Sequence, residues 1–162
     1  MTTLEQLQRL FCDNMITWYH SHVAHVNLVG RNFTSDHKLL KGIYEARQEQ
    51  IDVIAEIVRT LNGFMIDHLQ AVIVDAGLED RPVRGSSDDL LTHVLGMLED
   101  LVVQYQILGE AASDEELEHI ENYAQEQIMA LNRQIWFLNS TLELTPQPAQ
   151  SIQDLEDLVE DD

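Results

Sequence analysis

The sequence predicts an all-α protein, a bundle of four long helices with a short extra helix inside one long crossover. Three observations carry this. Apolar residues recur at steps of three and four through four stretches of about 25 residues. No stretch alternates with the period of two that a half-buried strand needs. The connections run short, long, short, which sets two antiparallel hairpins side by side with a single crossover between them.

The first stretch runs from Thr3 to Leu28, with Leu4, Leu7, Phe11, Met15, Trp18, His22 and Val26 on one face. Gly30 is placed to stop it in a left-handed cap. The second helix opens at Thr34 or Ser35, with Asp36 in the first turn, where the helix dipole favours an anion. Leu39, Leu40, Ile43, Tyr44, Ile51, Ile54, Ala55, Ile57, Val58 and Leu61 carry it to Asn62–Gly63. Leu69 to Ala76 reads as the short crossover helix, followed by Gly77 and the loop EDRPVRGSS. Ser86 or Ser87 caps the third long helix, whose stripe is Leu91, Val94, Leu95, Leu98, Leu101, Val102, Tyr105 and Leu108. Ser113 and Glu116 have capping-box spacing and predict the start of the fourth. Leu117, Ile120, Ala124, Ile128, Leu131, Ile135 and Leu138 continue it. Beyond Leu144, Pro146 and Pro148 break the helix, so the chain divides into a bundle over 1–144 and an acidic, flexible tail over 145–162.

Length favours one domain, since a chain near 150 residues buries roughly 68–70% of its unfolded surface and needs no covalent staple. Cys12 is the only cysteine and cannot form an intramolecular disulfide; among Leu10, Phe11 and Met15 it reads as a buried thiol. A reducing, cytoplasmic setting fits. The N-terminus shows no basic and apolar leader, and no run approaches the ~18 apolar residues of a membrane helix. Nine Lys and Arg against 29 Asp and Glu give a formal charge of −20, and Lys38 and Lys41 are the only lysines. Such a surface attracts cations and offers no basic patch for nucleic acid or anionic membrane. Adaptation to a salty host and a role in cation handling both account for the acidity.

The candidate chemistry lies between Tyr19 and Leu61. His20, His22 and His25 precede the first turn, His37 follows it, and Asp52 and Glu56 share one face of the second helix at i, i+4. Imidazole and carboxylate together suit divalent iron, zinc or manganese. The plainer alternative is a polar network sealing a seam between chains. His20, His68, His93 and His119 lack a carboxylate at helix spacing and read as surface or packing residues.

The segment HVNLVGRNFTSDHKLLKGIYEARQEQIDVIAEI resembles the signature of the Dps family, miniferritins that protect DNA during starvation. NRQIWFLNSTL resembles that family's final-helix run, and the likeness spans about 140 residues in register. The resemblance implies a ferritin-like bundle in a hollow homododecameric shell that oxidises Fe(II), preferably with hydrogen peroxide, and stores ferric mineral. It implies ferroxidase centres at two-fold interfaces, with His25, His37 and the position of Lys41 from one subunit and Asp52 and Glu56 from its neighbour. Zinc or manganese can occupy the same site. Glu118 and Asn122, with Glu121 beside them, fall where the family lines its three-fold pore. Trp136 reads as a packing residue.

Three departures matter. Lys41 stands where the family has a carboxylate ligand, Val26 replaces a tryptophan beside the first histidine, and the tail is acidic where many members have a lysine-rich, DNA-holding one. His22, one turn before His25, is the candidate substitute ligand; its alternative is a partly buried, hydrogen-bonded histidine. Three readings follow: an iron-oxidising and iron-storing cage without DNA binding, a structural or metal-sequestering cage disabled by Lys41, and an acidic helical adaptor for a basic partner.

Overall fold

The computed structural model describes residues 1–144. The tail expected over 145–162 lies outside the described residues. Among the described residues five helices appear in the order α1 Thr3–Asn27, α2 Phe33–Thr60, α3 Leu69–Asp75, α4 Ser87–Asp114 and α5 Glu118–Thr141. There is no strand among the described residues.

Local chemistry sets most boundaries. Thr2 caps α1 through a capping box with Glu5, and Ser86 caps α4 through the equivalent box with Asp89. Gly30 does take a left-handed conformation (φ 104°), but it lies two residues past the extended C-cap Leu28 and shapes the loop rather than the cap. Helix α2 starts at Phe33, slightly before the predicted Thr34 or Ser35; the Ser35 hydroxyl donates back to the Asn32 carbonyl at 2.7 Å.

The predicted capping box at Ser113 and Glu116 is not formed. Helix α4 continues through Ser113 to Asp114 and closes in a Schellman motif. The Leu117 N–H donates to the Ala112 carbonyl (2.8 Å) and the Glu116 N–H to that of Ser113 (3.1 Å), with Glu116 left-handed at φ 58°. Helix α2 ends the same way on Asn62 (φ 61°), with Gly63 bonded to the Val58 carbonyl at 2.9 Å. Both positions favour glycine, so local propensity alone does not announce them.

Helix α1 is central. It packs on α2 and α4, and α5 packs on α4, with a lesser contact from α3 onto α1. Leu7, Leu10, Ile54, Leu98, Leu101 and Leu131 are among the fully enclosed core side chains. Each contributes about 2 kcal/mol of burial energy. Cys12 is buried, and burial pushes its thiol up to about 12, so it is inert at neutral pH.

A polar layer crosses this core. Arg47 is 1% exposed and donates to Asn14 Oδ1 (3.2 Å), while Asn14 Nδ2 donates to the Leu10 carbonyl (2.8 Å) and the Tyr105 hydroxyl (3.4 Å). Two further polar groups pin the crossover to the bundle. The buried Asp13 carboxylate accepts the Gly77 and Leu78 N–H groups at 2.6 and 2.9 Å. His20, also buried, bonds Asp80 through Nε2 (2.8 Å) and His93 through Nδ1 (2.9 Å). Phe64, Leu69, Ile73 and Val74 leave an apolar outer face on the crossover and α3.

Candidate metal centre

The turn over 28–32 sets the end of α1 against the start of α2, so His25 and His37 meet. His25 Nδ1 lies 2.7 Å from the His37 carbonyl, and His37 Nδ1 lies 2.9 Å from the His25 carbonyl. A carbonyl only accepts, so both Nδ1 atoms carry a proton, and in the neutral ring that leaves the lone pair on Nε2. The rings stack with centroids 3.6 Å apart. Two imidazoles are thus locked side by side in the tautomer that presents Nε2, the arrangement that second-shell carbonyls enforce on metal-binding histidines.

Electrostatics favour the neutral form of His25. Burial lowers the pKa of His25 below the ordinary histidine value, and the nearby His37, His22 and Lys41 lower it further, outweighing the bond to the His37 carbonyl. Phe33 packs on the far side of His37 (4.9 Å between centroids), and Tyr44 meets His25 edge-on at 5.1 Å. His22 stacks on Trp18 and lies 6.1 Å from the His25 ring, with Tyr44 edge-on at 5.0 Å. It has no hydrogen-bond partner among the described residues and stands next to the pair rather than within it.

Asp52 and Glu56 are exposed, one turn apart, on the same helix as His37. Fifteen residues of helix place Asp52 roughly 22 Å along the axis from His37. A single chain therefore does not bring the four residues together. No three His, Cys, Asp or Glu side chains among the described residues converge on a possible metal position. What one chain holds is an imidazole pair at the start of α2 and a carboxylate pair towards its other end. Lys41 lies one turn beyond His37, exposed, with its ammonium 3.5 Å from Glu45. It is turned to its own helix.

The remaining candidates are scattered. Glu118 and Glu121 lie in the first turn of α5 with Asn122 just after, and Glu121 accepts from Gln125 at 3.4 Å. Trp136 is exposed on α5, so within one chain it is not a packing residue. His68 pairs with Asp67 at the surface, and His119 is exposed. For His20 the sequence reading missed its carboxylate. Asp80 comes from the crossover, 60 positions away, and no helix-spacing rule reaches that far.

The chain matches the ferritin-like domain family over residues 4–147. Among curated proteins it is 27% identical over 143 residues to a DNA protection during starvation protein of Helicobacter pylori, covering 88% of this chain and 99% of that one. It is 23% identical over 137 residues to one from Brevibacillus brevis, covering 85% and 92%. Among solved structures, Dps from Listeria monocytogenes superposes with a TM-score of 0.84 at 23% identity, covering 88% of this chain and 94% of that one. Helicobacter cinaedi CAIP gives 0.80 at 25% identity, covering 87% and 99%. With five helices in this order and these relatives, the chain belongs to the ferritin-like family, in its Dps group.

Proposed function

We propose that this protein is an iron-oxidising and iron-storing cage that consumes Fe(II) and peroxide at sites shared between subunits. The observation that carries the reading is the carbonyl-locked His25–His37 pair. An ordinary polar seam has no need for two neutral imidazoles with both Nε2 lone pairs free. The exposed Asp52 and Glu56 of a neighbouring copy supply the anionic half. Neutral imidazoles hold Fe(II), and hard carboxylates favour the Fe(III) product. Two Fe(II), one hydrogen peroxide and two protons give two Fe(III) and two waters, so no hydroxyl radical is released. His25 and His37 would hold and orient the metal ions through Nε2, and their Nδ1 protons stay on nitrogen, hydrogen-bonded to the carbonyls. Zn(II) and Mn(II) compete for the same groups. Glu118, Glu121 and Asn122 line the entry pore in this reading, and the acidic exterior concentrates cations there.

The cage assembles as a homododecamer of about 223 kDa (12 × 18.6 kDa), with α3 and Phe64 covered by neighbours. The net charge of −20 leaves plasmid DNA unbound at ~0.15 M salt. No helix among the described residues is long and apolar enough to cross a membrane. We place the cage in the cytoplasm.

Lys41 favours a second reading, a metal-sequestering cage without catalysis, because an ammonium stands at a ligand position. Its ion pair with Glu45 supports the active form, since the anion beside it offsets part of its repulsion of a metal ion. The test is light scattering for mass, then Fe(II) oxidation by peroxide for wild type and Lys41→Asp. Activity in wild type, with tighter iron binding in Lys41→Asp, supports the first reading. An inert wild type with an active Lys41→Asp supports the second. A mass near one or two chains ends both and leaves the acidic adaptor.

A further inference from the structure

Helices α2 and α5 touch where the Tyr123 hydroxyl donates to Gln50 Oε1 at 2.7 Å. Beyond that contact they leave a groove of about 910 Å³ between them, the size of an ordinary small-molecule site. Leu39, Ile43, Met129 and Phe137 form its apolar wall. Met129 and Phe137 are 71% and 39% exposed, so the described residues leave that wall open. Gly42 lines the groove from the middle of α2, where an added Cβ would meet no atom within 4 Å. Glycine is a poor helix residue, and no close packing calls for one here; its missing side chain keeps the space free.

The charges in the lining are sorted by end. Measured along the helices from the Tyr123–Gln50 contact, Arg133 and Lys38 lie roughly 15 and 18 Å away, and Glu126 roughly 5 Å. In a chain with 29 acidic residues, neither Lys38 nor Arg133 has an ion-pair partner among the described residues. The Arg133 guanidinium lies over the Phe137 ring, 5.7 Å from its centroid. Glu126, the one acid in the lining, sits at the opposite end. Two unpaired cations, then roughly 10 Å of apolar wall, then an acid match a molecule with a single anionic head and an apolar body.

We propose that this groove binds a free, single-chain carboxylate amphiphile of medium length. Its carboxylate lies between Lys38 and Arg133, and its alkyl chain runs along Leu39, Ile43 and Met129 past the gap at Gly42. The Arg133 fork meets a carboxylate through two parallel N–H···O bonds, and Lys38 adds a point charge. An acidic peptide fits less well, since further carboxylates along the wall would find no cation there and would approach Glu126. The net charge of −20 repels an anionic bilayer surface, so the ligand enters as a dissolved molecule. The assignment involves no iron and stands apart from the fate of the ferroxidase.

Calorimetry with sodium decanoate on the iron-free, full-length protein tests this. Decanoate should saturate the protein, and octanoate should bind about tenfold more weakly for its two missing methylenes. Decanol should bind severalfold more weakly than decanoate, because it brings no charge to the cations. Gly42→Phe puts a ring into the open space and should abolish binding. Lys38→Gln with Arg133→Gln should leave decanoate no tighter than decanol, a comparison that holds even if the Gly42 variant fails to fold. Saturating decanoate should also slow chloramine-T oxidation of Met129 about threefold relative to the similarly exposed Met1. No saturable binding overturns the proposal, and so does decanoate binding that a folded Gly42→Phe leaves unchanged. Decanol as tight as decanoate in wild type contradicts the assigned head site. Met129 already much slower than Met1 without decanoate would mean that a neighbouring copy fills the groove, which also overturns it.

Discussion

Replacing Asp13 by asparagine should change how stability responds to pH, and by an amount the structure sets. Asp13 is fully buried beneath the crossover, and burial pushes its carboxyl from 3.8 up to about 6, against the pull of the Leu78 and Gly77 N–H groups and of Arg9. A folded-state pKa above the unfolded one means that the native protein prefers the protonated acid. Its contribution is fully present below pH 3.8 and is lost as pH rises through about 6. The full loss is about 3 kcal/mol, at about 1.36 kcal/mol for each pH unit between 3.8 and about 6. The sequence pI of about 4.4 makes solutions much below pH 5 prone to precipitation, so the usable window is pH 5 to 7.5. Within it the wild type should lose about 1.4 kcal/mol relative to Asp13→Asn, which keeps an acceptor for the loop and has no proton to lose. Urea unfolding of both proteins at one fixed concentration, at the two pH values, gives the difference directly. A gap that does not change with pH would refute the reasoning, and so would a gap that moves in favour of the wild type.

Three shorter predictions follow from the same geometry. Glu116→Gly should raise stability by up to about 1 kcal/mol in urea unfolding, since it relieves a left-handed non-glycine residue at the end of α4. Arg47→Ala should cost about 3–5 kcal/mol by stranding Asn14 and opening a cavity, whereas Arg47→Met should cost far less, because it fills the space without a buried charge. His20→Gln should loosen the crossover and speed tryptic cleavage after the exposed Arg84, with the rate followed by mass spectrometry; an unchanged rate would mean that Asp13 alone holds the loop.

Much of this was legible from residue order. Periodicity located the five helices of the described residues, because a buried stripe recurs at the helical repeat wherever one face meets a core. The short turn between α1 and α2 was legible as well, and in the structure it brings His25 beside His37. What stayed hidden depends on contacts far apart in sequence or on backbone geometry. The Asn14–Arg47 bond and the Asp13 and His20 anchors join residues 33 to 65 positions apart, which no local pattern encodes. Ser113 misled because a capping-box pair also fits the last turn of a helix, and a Schellman closure on glutamate lacks the usual glycine. The reciprocal Nδ1–carbonyl bonds, which turn two nearby histidines into a matched pair of donors, became visible only with the backbone in place. Val26, assigned to the apolar stripe, is exposed instead, on a face that a second chain is free to cover.

The central claim is that each iron site takes its imidazoles from one chain and its carboxylates from another. Mixed cages test it most directly. His25→Ala/His37→Ala and Asp52→Ala/Glu56→Ala chains should each give cages with little peroxide-driven Fe(II) oxidation. Co-assembled one to one, half of the two-fold pairs are hybrids, and in each hybrid one of the two sites regains all four native residues. The mixed cages should then recover about a quarter of the wild-type initial rate. Mixed cages no faster than either parent, beside an active wild type, would contradict the shared site.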